Sequence, residues 1–177
     1  MQFSLRMKQP GRALTLSLAE YVSPVHPEPK TAVLIPGFRE TKRIRLFPGG
    51  WDEDTARYRA SVVAAPVEDL VRLARNWDER WERPRRALVA FSFEHGESPS
   101  EADKDELWDR FGVPLFEQCL NFRRESMASE CDAHEGLHLS PQFSGLEGWR
   151  LAHGRCACGN PAPKILRDTR RVMAASA

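Results

Sequence analysis

Several features that would point to a function class are scarce in this chain. Charge of one sign is missing: 26 Lys and Arg balance 25 Asp and Glu, for a net charge of +1 at pH 7. That excludes the strongly basic composition of a dedicated nucleic-acid binder. Long hydrophobic runs are missing too. The longest, "TAVLI" and "ALVAF", fall far short of the ~20 residues that cross a bilayer. Lys8 and Arg12 interrupt the N-terminal segment, so it does not read as a secretory signal. Cysteine is sparse, with four in 177 residues, and Cys156 and Cys158 stand too close in sequence to bridge without strain. A disulfide scaffold is therefore not expected. There is no internal repeat and no phosphate loop, since "FPGG" at 47–50 has too few glycines and no lysine after it. The expectation is a soluble cytoplasmic chain long enough to bury one core.

What is present reads as alternating strands and helices. Residues 23–30, "SPVHPEPK", form a proline-rich connection. "TAVLIP" (31–36), "RIRLF" (43–47), "SVVAAP" (61–66), "ALVAFSF" (87–93) and "VPLFEQCL" (113–120) are strand-like. After Pro66, apolar residues at Val67, Leu70, Val71, Ala74, Trp77 and Trp81 predict a helix of about four turns stopping before Pro84. "SPSE" (98–101) predicts a second start, with Ser98 as N-cap, Pro99 at N1 and Glu101 at N3. That helix would turn Leu107 and Trp108 inward and end at Gly112 in the left-handed conformation. The order predicts an α/β fold, a mostly parallel sheet flanked by helices, with a small zinc-knuckle β subdomain at the C-terminal end. The divisions are 1–30 (N-terminal segment and linker), 31–128 (α/β core), 129–166 (zinc-binding subdomain) and 167–177 (basic tail), and "APKILRDTRRVMAASA" (162–177) could form a frayed basic helix.

"SECDAHEGLHL" (129–139) and "GRCACGNP" (154–161) carry the chemistry. Cys131 and His134 make one short donor pair, and Cys156 and Cys158 make the other. Gly159 allows the backbone to turn under an ion. Zinc takes four nitrogen or sulfur donors tetrahedrally in structural sites, so the predicted ligands are Cys131, His134, Cys156 and Cys158, with His138 the alternative histidine. Four protein ligands leave no open position, and the predicted role of Zn2+ is structural. A catalytic zinc would need Asp132 or Glu135 drafted as acid or base. The other candidates have bland explanations. Cys119 reads as a small core residue, and Trp51, Trp77, Trp81, Trp108 and Trp149 read as packing. Glu94, His95 and Glu97 read as structural or vestigial, and Ser126 and Ser129 have no identifiable base.

"RALVAFSFEHGESPSEADKDELWDRFGVPLFEQ" resembles the middle of the phenylacetate–CoA ligase branch of the adenylate-forming enzymes, through Gly96-Glu97, the helix at 98–110 and Phe111-Gly112-Val113. "ASECDAHEGLHL" and "GRCACGNPAPKIL" are similar to that branch's Glu-Cys…Gly-Leu-His and Cys-x-Cys-Gly segments. The resemblance covers roughly residues 60–170 and implies an α/β core; some members of the branch carry zinc at this place. It also implies what this chain lacks. No Ser/Thr/Gly-rich phosphate loop occurs. Where the branch has Tyr-Gly-x-Ser/Thr-Glu, this chain reads "EQCLN" (117–121), so Glu117 and Gln118 replace the aromatic and glycine and Asn121 replaces the magnesium-binding glutamate. By the same resemblance, the ribose-binding aspartate and the mobile C-terminal domain are expected to be absent as well.

Adenylation needs a positioned triphosphate and charge-neutralising donors. The expected function is therefore a non-catalytic, zinc-binding pseudoenzyme with a binding or accessory role and an unidentified protein partner. One alternative is the acyl-pocket subunit of a split acyl–CoA ligase that needs a partner to bind ATP. Another is a zinc-ribbon nucleic-acid binder using Arg155, Lys164, Arg167, Arg170 and Arg171. No membrane partner is expected, and the balanced charge speaks against nucleic acid.

Overall fold

A computed structural model describes residues 18–93, 98–143 and 150–166. The strands are β1 (Thr31–Val33), β2 (Ile44–Leu46), β3 (Val62–Pro66), β4 (Ala87–Phe93), β5 (Leu115–Leu120), β6 (Ser126–Glu130), β7 (Leu137–Leu139), β8 (Arg150–Ala152) and β9 (Lys164–Leu166). Three helices interrupt them: α1 (Glu53–Tyr58), α2 (Val67–Arg75) and α3 (Glu101–Phe111). All nine strands join one sheet in the order β2-β1-β3-β4-β5-β6-β7-β9-β8. Pairing is parallel from β2 through β5 and antiparallel from β5 to β8. The sheet is thus mixed, and only its first part is parallel. The β-branched and alanine-rich runs of β3 and β4 are buried on both faces, as parallel strands with both sides covered must be.

The two covers differ. Leu70, Leu73 and Ala74 of α2, Leu107 and Phe111 of α3 and Tyr58 of α1 pack with Val63, Ala65, Leu88 and Ala90 on one face. On the other, Tyr21, Val25, Ile35 and Phe38 pack on Val62, Ala64, Val89, Phe91 and Phe116. The segment around the proline-rich stretch is therefore a lid on the sheet rather than a free linker. Tyr21, Phe38 and Phe91 meet with ring centroids 5.7–6.1 Å apart, the geometry of favourable aromatic pairs.

Several local expectations are corrected. Helix α2 is only 9 residues long. Asn76 ends it by donating from both its backbone N–H and its side-chain Nδ2 to the Arg72 carbonyl. Trp77 and Trp81 lie beyond the helix, and their helical spacing reflects a shared aromatic cluster. Trp77 packs 5.1 Å from Trp51, 5.7 Å from Trp81 and 5.0 Å from Phe111. Helix α3 starts at Ser100, not Ser98: the Ser100 hydroxyl accepts from the Asp103 N–H while Asp103 accepts from the Ser100 N–H, a reciprocal cap. Leu107 is buried, but Trp108 is 58% exposed. Gly112 does take the left-handed conformation at the end of α3 (φ 64°). The suggested basic helix begins instead as strand β9, and residues 167–177 lie outside the described residues.

Candidate metal centre

The antiparallel end of the sheet builds the site. Cys119, Ala128 and Leu139 lie opposite one another across β5, β6 and β7 and pack with Leu137 and Ile165 in a small core of their own. Gln118, Ser129, His138 and Lys164 form the neighbouring row across β5, β6, β7 and β9. Side chains alternate along a strand, so burying Leu137 and Leu139 on one face places His138 on the other. Cys131 follows the last residue of β6, and the turn after it closes through the His134 N–H on the Cys131 carbonyl at 2.9 Å. Gly136, at φ +117°, leads the chain into β7. Beyond β8, Cys156 to Gly159 make a tight turn closed by the Gly159 N–H on the Cys156 carbonyl at 2.9 Å. Gly159 carries the positive φ (82°) that this turn requires.

One donor atom from each of Cys131, His138, Cys156 and Cys158 lies within 4.8 Å of every other. The Cys131 and Cys156 sulfurs are 3.6 Å apart, and Cys158 Sγ is 3.4 Å from His138 Nε2. A tetrahedral ion with Zn–S of about 2.3 Å and Zn–N of about 2.0 Å holds its donors about 3.5–3.8 Å apart. The spacing fits, and these four residues can hold a metal ion such as zinc. The imidazole is oriented as ligation requires: Nδ1 lies 3.2 Å from the Ala162 carbonyl, an acceptor to which an Nδ1–H donates, and this leaves the Nε2 lone pair facing the thiols.

Burial pushes the Cys131 thiol up to about 12, and the adjoining Cys158 and Cys156 groups push the same way. Cys158 is held below the usual thiol value, first by the Asn160 N–H, which donates to its sulfur at 3.4 Å. A cation among these sulfurs takes the place of their protons. Lys164 Nζ, 2.9 Å from Glu135 Oε2, has its pKa raised by that carboxylate and, to a lesser extent, by Cys156 and Cys131. Three thiolates and a neutral imidazole around a divalent ion would carry one net negative charge, and Lys164 is a nearby cation that would offset it.

The structure brings together three of the four predicted ligands and replaces the fourth. His134 does not face the thiols. Its Nδ1 is 3.1 Å from Glu130 Oε1, its ring lies 5.1 Å from that of Phe116, and its backbone is left-handed (φ 50°). Closing the turn on Cys131 directs the side chain back over β5 and away from the ion site. The Cys-x-x-His spacing suggested a knuckle, whereas the informative signal was "LHL", a histidine between two leucines on a strand. Glu135 is paired with Lys164, and Cys119 is fully buried in the small core.

No protein-family model matches this chain, and no curated protein matches it.

The remaining candidates are held in other ways. Glu117 accepts from the Ser92 hydroxyl at 2.6 Å and from Ser98 at 3.1 Å. Gln118 donates to the Val22 carbonyl and to Ser126 and Ser129. Asn121 shapes the β5–β6 turn: its Oδ1 accepts from the N–H groups of Arg123 and Glu125, and its Nδ2 donates to Glu125. Glu94, His95, Glu97, Trp149, Arg167, Arg170 and Arg171 lie outside the described residues. No helix among the described residues is long and apolar enough to cross a membrane.

Proposed function

We propose that this chain is a non-catalytic zinc-binding α/β protein, related to the core of a phenylacetate–CoA ligase-type adenylate-forming enzyme, with a binding or accessory role. The observation that carries the reading is the four-donor set of Cys131, His138, Cys156 and Cys158, mutually within 4.8 Å. Four protein donors complete a tetrahedral shell, so the ion has no position for water or substrate, and its work is structural. It ties the β6–β7 turn and the middle of β7 to the 156–159 turn that leads into β9.

Two further observations support the non-catalytic part. The sequence holds no phosphate-cradling loop, and Asn121 is engaged in a turn at the place where the resemblance calls for a magnesium-binding carboxylate. A pentacoordinate phosphorus transition state needs charge-neutralising donors held in place, and the loop that would cradle the phosphates is not in the sequence.

Elemental mass spectrometry on freshly reduced protein should find one zinc per chain, and ATP–pyrophosphate exchange with a panel of aryl and acyl acids should stay at background. Metal-free protein would remove the structural zinc from the reading, and exchange activity in the isolated chain would sink its non-catalytic part.

A further inference from the structure

We propose that the three-cysteine centre is a peroxide-sensitive switch, in which a hydroperoxide replaces the metal by a disulfide from Cys131 to the 156–158 turn. This rests on the zinc reading above and adds a regulated state of the same site.

The three thiols are unequal in access. Cys158 is exposed, Cys131 is half-buried and Cys156 is buried. A small hydroperoxide therefore meets Cys158 first, and oxidation follows thiolate character and exposure. A metal-released Cys158 thiolate attacks one peroxide oxygen, the O–O bond breaks and hydroxide leaves. The sulfur is oxidised to a sulfenic acid, and the peroxide is reduced.

The Cys131 sulfur then attacks the Cys158 sulfur. The S–O bond breaks, the departing hydroxide takes up a proton to leave as water, and a disulfide forms. In sum, two thiols and one hydrogen peroxide give one disulfide and two waters. Cys156 is a poor resolving partner for Cys158 because only one residue separates them and the ring would be strained. Cys131 suffers no such constraint: it comes from a different element, and its sulfur lies within 4.8 Å of Cys158's. Exchange with Cys156, whose sulfur is 3.6 Å from that of Cys131, moves the bridge within the cluster but joins the same two elements.

With two sulfurs consumed, the ion keeps only one thiolate and His138 and is released. The β6–β7 turn stays tied to the 156–159 turn throughout, by metal in the reduced chain and by a covalent bond in the oxidised one. Cys119, fully buried in the core, serves as an internal control.

The test uses the full chain loaded with zinc and treated with hydrogen peroxide. A colorimetric chelator reads freed zinc, and non-reducing peptide mapping reads the bridge. The expected result is loss of the bound zinc together with a crosslink from Cys131 to Cys158 or Cys156, with Cys119 still a thiol and both changes reversed by dithiothreitol plus zinc. Cys158→Ser, mapped metal-free beside metal-free parent, should oxidise many-fold more slowly. A chain that takes up no zinc before peroxide overturns the structural-zinc reading and the switch with it. A chain that binds zinc and keeps it under peroxide sufficient to oxidise glutathione overturns the switch alone, as does a bridge confined to Cys156 and Cys158.

Discussion

His138 Nε2 lies 3.4 Å from Cys158 Sγ although the two residues are 20 positions apart. The contact exists because β9 pairs with β7, which draws the 156–159 turn against the middle of β7. His134, nearer in sequence to Cys131 than His138 is, faces Glu130 and Phe116 instead.

Exchanging the two histidines in turn separates these roles. His138→Ala should cut zinc affinity at least tenfold, while His134→Ala should retain one zinc per chain. Competitive titration against a chromophoric chelator measures both, and equal losses would contradict the ligand assignment.

Removing the metal should act locally. After chelation, amide hydrogen exchange should speed up at Leu137–Leu139 and Lys164–Leu166, where the Leu139 N–H donates to the Pro163 carbonyl. The amides of Val62–Pro66 and Ala87–Phe93 should keep their protection, because those strands lie in the parallel part of the sheet with both faces covered.

Gly136 is required by its backbone. At φ +117°, and with a Cβ there placed 3.4 Å from the Ile165 carbonyl oxygen, Gly136→Ala should cost about 1–3 kcal/mol. It should also weaken zinc binding by shifting His138. Urea unfolding of the metal-free and zinc-loaded forms would show both effects.

Asp52 caps α1 by accepting from the Thr55 N–H, and that bond lowers its carboxyl pKa. A lowered folded-state pKa means that its contribution is present above the ordinary value of 3.8 and is lost as pH falls through the folded one. Asp52→Ala should cost about 1 kcal/mol near neutrality. Asp52→Asn should keep most of the cap and remove this part of the acid sensitivity, as denaturation curves at neutral and acidic pH would read.

Leu107 and Trp108 are neighbours on α3 with opposite fates. Leu107 is 1% exposed and Trp108 58%, so Leu107→Ala should cost about 2–5 kcal/mol and Trp108→Ala within about 0.5 kcal/mol of nothing. Guanidinium unfolding midpoints decide this.

Much of the fold's local grammar was legible in the residues themselves. The β-branched runs "SVVAAP" and "ALVAFSF" read as strands and are interior strands of the sheet, and Gly112 ended α3 because glycine takes that conformation at low cost. Cys156 and Cys158, too close in sequence to bridge without strain, pointed together with Cys131 to a metal by their chemistry. Tertiary structure decided the rest, since contacts between distant segments depend on strand order and register rather than on spacing. Trp77 and Trp81 kept helical spacing outside a helix because Trp51 and Phe111 gather them into one cluster. The choice of His138 over His134 belongs to the same class. The pairing of β6 with β7 and β7 with β9 sets which imidazole meets the sulfurs, and no single segment of the sequence contains that pairing.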